Sequence, residues 1–499
     1  MSVRNTLAII VLAGLAGGCG SSNDSESVDN ITADAEQPVD GDNAATPGNA
    51  SPATSPVLRI DRNRDRRRDD SRDGERFRTF DGSDNNRLNP EMNEAETTLV
   101  RTVLADYGDL IGSLAGGTRP GARVISNTVS AQEVSIPSPD SASDFLWQWG
   151  QFLDHDLDLT DGVDPAEPAD IGIPTGDAWF DPAGTGVVKL PFNRSVYDST
   201  TGTSTVNPRQ QLNEITGWID ASNVYGSDIE RATALRTNDG TGRMRTSAGN
   251  LLPFNDEGLS NAGGSGAELF LAGDVRANEQ MGLAAMHTLF VREHNRLAEE
   301  IAANDAGLSG DDIYQRARRI VGAQMQVITY EEFLPVLLGP DALRPYEGYD
   351  ESVDASIANI FSAAAFRLGH SMLSAQILRL DAQGNAIAAG HLPLREAFFS
   401  PRILTDEGGI EPMLRGLAAQ VCQQIDVFVV DDIRNFLFGT PGQGGFDLAA
   451  LNIQRGRDHG IPDYNTVRQA MGLPIKQALS EITNSLELQD SLAAAYGSV

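Results

Sequence analysis

The stretch WQWGQFLDHDLDLTDG, Trp147 to Gly162, crowds two amides, four acids and a histidine into a frame of aromatics and leucines that belongs in an interior. Burying one ionised carboxylate without a partner is costly enough that the group takes up a proton instead. Something must therefore pair these groups. If Trp147 to Leu157 is helical, Gln151 and His155 lie four apart on one face with Asp154 beside them, while Asp156 points about a quarter turn away. One helix then presents polar groups to two different places. A histidine between carboxylates can be a metal ligand, a general base or a satisfied core residue, and taken alone this segment favours the last.

Outward from that helix, the chain reads as mainly α. From Leu99 onward, segments with apolar residues at three and four spacing alternate with Gly/Pro loops: Met281 to Ala302, Asp312 to Leu338, Ile357 to Leu378 and Met413 to Phe438. Period-2 stretches of strand length are few, and no repeat recurs at solenoid spacing. With 499 residues, 40% of them hydrophobic, the expectation is one large, mainly helical domain over residues 78–499, with few short strands and long loops.

What precedes the domain reads differently. Arg4, an apolar run from Leu7 to Leu15 and small residues up to Cys19 form a targeting segment over residues 1–19, too short to span a bilayer as a mature helix. Leu15-Ala16-Gly17-Gly18-Cys19 resembles a bacterial lipoprotein signal, in which Cys19 becomes the lipidated first residue; an ordinary secretory signal is the alternative. Either implies export. Residues 20–77 are a low-complexity linker, ending in LRIDRNRDRRRDDSRDGERFR, where interleaved acids cancel the field a nucleic-acid patch would need. The net charge of −32 likewise argues against nucleic acid or an anionic membrane as the main partner. Cys422 is the one other cysteine; it reads as a small buried hydrophobe in a helical stretch, and lipidation of Cys19 would exclude a disulfide.

Three further segments carry polar groups that could do chemistry. ITGWIDASNVYGSD places Thr216, Asp220 and Ser222 at alternate positions around Trp218, so hydroxyl, carboxylate and carbonyl oxygens can converge on a hard cation such as Ca²⁺. EF-hand spacing is absent, and a capped turn is the plainer reading. In FLAGDVRANEQMGLAAMHTLFVREHNRLAEEI, Arg276 and Glu279 precede a long amphipathic helix whose His287 and His294 lack the spacing of a zinc helix, and whose Arg292, Glu293 and Arg296 suit a surface pairing set. In AAAFRLGHSML, His370 follows Arg367 in an apolar helix, where a lone histidine is usually structural.

Together and in this order, FRTFDGSDNN, RPGARVISN, GQFLDHDLD, WIDASNVYGS, LAGDVRANEQ, HTLFVREHNRLA, FRLGH and LNIQRGRDHGIPDYN resemble the animal-type haem peroxidases of the peroxidase-cyclooxygenase superfamily. The resemblance implies haem b, with His370 as the iron ligand, Asn452 as the hydrogen-bonding partner of its other ring nitrogen, and Arg367 paired with a haem propionate. It implies His155 as the distal acid-base group, Arg276 as the fixed charge beside it and Gln151 as the amide that places water or a small anion. Asp154 and Glu279 match carboxylates that form esters with the haem, which would relieve the cost of burying them. Asp156, with Thr216, Trp218, Asp220 and Ser222, matches a Ca²⁺ site.

The implied function is reduction of hydrogen peroxide through a ferryl intermediate and oxidation of a small reducing substrate. Gln280 stands where one branch of the family has a methionine linked to haem, so a lower potential is expected, with bromide, iodide, thiocyanate or a phenolic donor favoured over chloride. Fatty-acid dioxygenation on the same scaffold needs a tyrosine where Arg367 stands; a non-catalytic adhesion protein would not need both histidines. The family also continues beyond the position of Val499, so a domain shortened at its C-terminus is expected.

Overall fold

The computed structural model describes residues 76–499. The expected targeting segment with Cys19, and the expected linker up to residue 75, lie outside them. Seven helices build the frame of the site: α1 (Ala122–Val129), α2 (Phe145–Leu157), α3 (Met281–Asn304), α4 (Gly310–Val327), α5 (Glu411–Ala419), α6 (Leu448–Asp458) and α7 (Leu486–Tyr496). They pack around one large core and a smaller one under α1, α6 and α7. Strands among the described residues are two residues long and pair in five separate ladders. The mainly helical single domain read from the sequence is the fold observed.

Helix α3 shows why. Leu283, Met286, His287, Phe290, Val291, His294, Leu297 and Ala298 are buried, a three-four-seven spacing that turns one broad stripe inward. Helix α4 starts at a capping box in which Ser309 and Asp312 satisfy each other's backbone N–H, worth about 1 kcal/mol. It runs on through a widened π-helical turn, Ile328–Phe333, into Leu334–Leu338 and stops at Gly339, whose φ of 98° ends a helix without strain. The helix expected over Asp312 to Leu338 is thus present with one irregular turn.

Helix α2 lies against α3 through aromatic rings. Phe152 stacks on Phe290 with centroids 5.0 Å apart, and Trp149 tilts against both at 5.7 and 5.8 Å. Burying each such ring contributes roughly 1.5–3 kcal/mol, which fixes the rotation of α2 and hence which residues its other faces offer. On the far side of the domain, α1 and α6 are clasped by the fully buried Arg123. It donates to Asp177 at 2.8 and 3.1 Å, to Asp447 at 2.7 Å and to Asn435 at 2.8 Å. Asp447 also caps α6, accepting from Ala450 N at 3.0 Å.

Two expected helices are broken. Met413 to Phe438 is helical to Ala419 and again over Asp431–Arg434; between the two, Gln420 is extended and the chain becomes a strap whose N–H groups are spent on neighbours: Cys422 on Ala142 O, Gln423 on Met372 O, Gln424 on Ile136 O. Val429–Val430 then pairs in parallel with Ala131–Gln132. The apolar spacing there reflects burial on two sides of a strap, and the β-branched run IDVFVV favours extension. Cys422 is buried as expected, but in the strap and not in a helix. Ile357 to Leu378 divides at Ala364 into Asn359–Ala363 and a 3-10 helix, Ala365–Met372, so His370 sits on a 3-10 turn. Among the described residues no helix is long and apolar enough to cross a membrane.

Candidate functional site

The inner face of α2 brings Gln151, Asp154 and His155 together, as the four-residue spacing requires. His155 is buried, its Nδ1 3.4 Å from Asp274 Oδ1 and its Nε2 4.0 Å from Glu279 Oε2, and neither ring nitrogen makes a hydrogen bond. Burial first, then the charge of Arg276, holds its pKa well below the usual histidine range. The imidazole is therefore neutral with a lone pair available.

Arg276 approaches from the turn before α3. It donates from Nε to Asp274 Oδ1 at 2.9 Å, and from Nη2 to Asp274 Oδ2 at 2.8 Å and to the Asp158 carbonyl at 2.9 Å. Its Nη1 lies 3.7 Å from Asp154. Burial works against the guanidinium, but the charge and hydrogen bonds of Asp274 outweigh it and raise the pKa above the ordinary value. Asp274 is correspondingly held below the carboxylate range: burial pushes it up, and Arg276 more than reverses that. Asp154, by contrast, is raised to about 7, by burial and then by Asp158.

The 3-10 helix packs against α2 and carries Arg367 and His370, both half-buried. Arg367 lowers the pKa values of Asp154 and Asp158, so its charge reaches the same space. Burial, then Arg367, brings His370 down to about 3. Its Nδ1 lies 2.9 Å from the side-chain amide of Asn452 on α6. The Oδ1 of that amide is buried without a partner when its nitrogen faces the ring. A half turn of the amide brings Oδ1 onto Nδ1–H, and leaves Nε2 with a free lone pair.

That orphaned oxygen, the bare ring nitrogens of His155 and the space beside Gly369, where a Cβ would meet nothing within 4 Å, fit a haem with His370 as its iron ligand. Asp154 and Glu279 flank the same space, Glu279 accepting from Gln151 Nε2 at 3.3 Å.

The outer face of α2 makes the second site. Asp156 accepts from Ser222 Oγ at 3.0 Å, Asn223 N at 3.2 Å and Ala221 N at 3.2 Å. Asp220 accepts from Ser222 N at 3.1 Å and Thr216 Oγ1 at 3.2 Å, and donates its own N–H to Trp218 O at 2.9 Å. Burial and the charge of Asp220 raise Asp156 to about 8. Among the described residues no three or more His, Cys, Asp or Glu side chains gather as a metal site; this set has two carboxylates, with hydroxyl and carbonyl oxygens making up the rest.

The sequence reading missed Asp274. Its signal was an acid two residues before Arg276 in GDVR, which in most chains is a solvated pair. It also gave Gln148 no role, and it read Gln280 only as the residue standing where one branch of the family has a haem-linked methionine. His294 is a satisfied core histidine, between Tyr225 Oη at 2.8 Å and Gly242 O at 2.9 Å. Arg296 pairs on the surface with Glu293 as their spacing suggested, whereas Arg292 pairs outside that set, with Glu411 at the start of α5.

Fold and site together define a helical protein built around a haem pocket. The profile described as "Animal haem peroxidase" matches residues 77–499. Human peroxidasin homolog is 36% identical over 470 residues, covering 85% of this chain and 32% of that protein. Peroxinectin A of Dictyostelium discoideum is 35% identical, covering 85% and 80%. The solved structure of peroxidase A from the same organism aligns with a TM-score of 0.79 at 33% identity, over 85% of this chain and 84% of that one. The chain belongs to the animal haem peroxidase family, and spans about a third of the length of the peroxidasin it matches.

Proposed function

We propose that the chain is a haem-dependent peroxidase that reduces hydrogen peroxide and oxidises a small anion, such as bromide, iodide or thiocyanate, or a phenolic donor. The observation that carries this is a buried, neutral His155 with both ring nitrogens bare, beside an arginine whose charge is locked in place. His370 would ligate the iron through Nε2, Asn452 would orient it through Nδ1, Arg367 would pair with a propionate, and Asp154 and Glu279 would be the carboxylates that form ester links. When bound there, haem would supply the electrons for O–O cleavage. His155 takes the proton of the peroxide through Nε2 and returns it to the departing oxygen, so that water leaves. Arg276, already desolvated and fixed, stabilises negative charge on that oxygen without reorganising. Gln151 holds water or the donor beside them.

Replacing His155 with Ala removes the neutral base beside Arg276. The rate of the Soret change on adding stoichiometric peroxide to haem-loaded protein is expected to fall by roughly 10²–10⁴-fold. A near-normal rate in that stopped-flow trace would remove His155 from the role.

At the outer face of α2 we assign Ca²⁺ to Asp156, Thr216, Trp218, Asp220 and Ser222, an oxygen set of the kind a hard cation takes. The support is a pair of buried carboxylates, both with raised proton affinity. Elemental analysis is expected to find calcium near one equivalent per chain, and chelation to lower the melting temperature. Protein free of calcium with an unchanged melt would refute the site.

A further inference from the structure

Gln280 caps α3, and its hydrogen bonds settle more than the helix start. The backbone N–H of Gly282 donates to Gln280 Oε1 at 2.6 Å. A backbone N–H can only donate, so this end of the side chain must be its oxygen and the other end its NH₂. That NH₂ donates to Gln148 Oε1 at 2.7 Å and to Gln151 Oε1 at 3.1 Å. The oxygen of Gln151 is thereby held back toward Gln280. Its NH₂ is turned toward Glu279 Oε2, the carboxyl atom nearest His155 Nε2.

The packing enforces this order. A Cβ on Gly282 would stand 2.6 Å from Gln148 Oε1 and 2.7 Å from Gln280 Oε1, so only glycine leaves room for the two amides to meet there. Gln148 and Gln280 are both buried, and Gln148 Nε2 is left without a partner. Turning Gln148 over would set NH₂ against NH₂, which costs more than one unmet donor.

We propose that Gln280 is a positioning residue: it fixes which end of the Gln151 amide faces His155, so that this side of the pocket offers N–H donors and selects small anionic donors over neutral ones. This rests on the peroxidase reading. In the reverse orientation a carbonyl oxygen would face the same space and repel an anion. The Gln280 NH₂ is the donor that holds Gln151 Oε1, so its loss frees the amide to turn.

The test uses haem-loaded ferric protein and thiocyanate as the probe, titrated at equilibrium by the change in the Soret band. Gln280→Leu is expected to weaken thiocyanate binding about 10-fold, the effect of losing one aligned hydrogen bond to a charge. In turnover, KM for thiocyanate is expected to rise with kcat little changed, and KM for a neutral phenol to stay where it was. Gln148→Leu, which removes the other acceptor of Gln280, is expected to leave thiocyanate binding intact. Should leucine not retain haem, Gln280→Ala serves in its place. Unchanged thiocyanate affinity in the variant overturns the proposal, as does an equal loss for thiocyanate and phenol, which would mark a general disturbance. Wild-type protein that oxidises phenol yet shows no preference for thiocyanate refutes this inference alone; wild-type protein inert to peroxide refutes the reading beneath it.

Discussion

At the scale of single residues, the decisive group is one the sequence did not advertise. His155, Arg276, Gln151 and His370 could be read from their motifs, because the residues around them carry the family pattern. Asp274 could not, because an acid two residues from an arginine is among the commonest surface arrangements. Only burial gives it meaning. With Asp274 removed, the Arg276 charge is left in the interior without the carboxylate that offsets its desolvation, and His155 loses the neighbour 3.4 Å from its Nδ1. Breaking one side of a buried pair typically costs about 3–5 kcal/mol, because the surviving charge is left uncompensated. Asp274→Ala is therefore expected to lower the urea midpoint of the haem-loaded protein by a corresponding amount. A loss under about 1 kcal/mol would mean that Arg276 finds water or another partner, and that the pair is not the clamp its geometry suggests.

At the scale of elements, helices with an unbroken apolar stripe were legible and segments buried on several sides were not. The periodicity of Met281 to Ala302 gave α3 to within two residues, whereas Met413 to Phe438 carried the same spacing into a strap. That strap closes over the start of α2. Gln420 O accepts from Asp144 N at 2.8 Å, and Cys422 lies close enough to Asp144 for its thiol to feel the carboxylate's charge. Asp144 precedes the first turn of α2, buried, with no capping bond from its side chain.

Burial, only partly offset by Trp147, raises its pKa to about 7. A carboxyl whose folded pKa lies above its unfolded value favours the folded state most when protonated. Its contribution is full below the unfolded pKa of about 4 and is lost as pH rises through 7. Asp144→Asn removes that dependence. The variant is expected to match wild type near pH 4 and to gain stability over it from there to pH 8, by an amount on the order of 4 kcal/mol. Melting curves at both ends of the range test this. A difference that stays constant with pH would show that the carboxyl is ionised throughout.

At the scale of the whole molecule, charge is unevenly spread between interior and surface. The buried arginines Arg123, Arg276 and Arg455 are met by the buried acids Asp177, Asp447, Asp274 and Asp458. Pairing of this kind leaves the excess of 70 acids over 38 lysines and arginines to be carried mainly by the surface. Such a field repels anions on approach, while in the pocket proposed above Arg276 and the Gln151 amide would favour them once they arrive. The two effects act on different steps and respond differently to salt. Surface charges more than about 8 Å apart are screened at physiological ionic strength, and a buried pair is not.

Raising ionic strength from about 10 mM to about 150 mM, where the screening length shrinks from roughly 30 Å to 8 Å, is expected to raise kcat/KM for thiocyanate or bromide several-fold. The value for a neutral phenol is expected to stay level. Steady-state rates at fixed peroxide, with both donors measured across that range, separate the cases. An anion rate that falls with salt would mean that positive charge at the pocket mouth governs approach, and that the acidic surface lies too far from the entrance to matter.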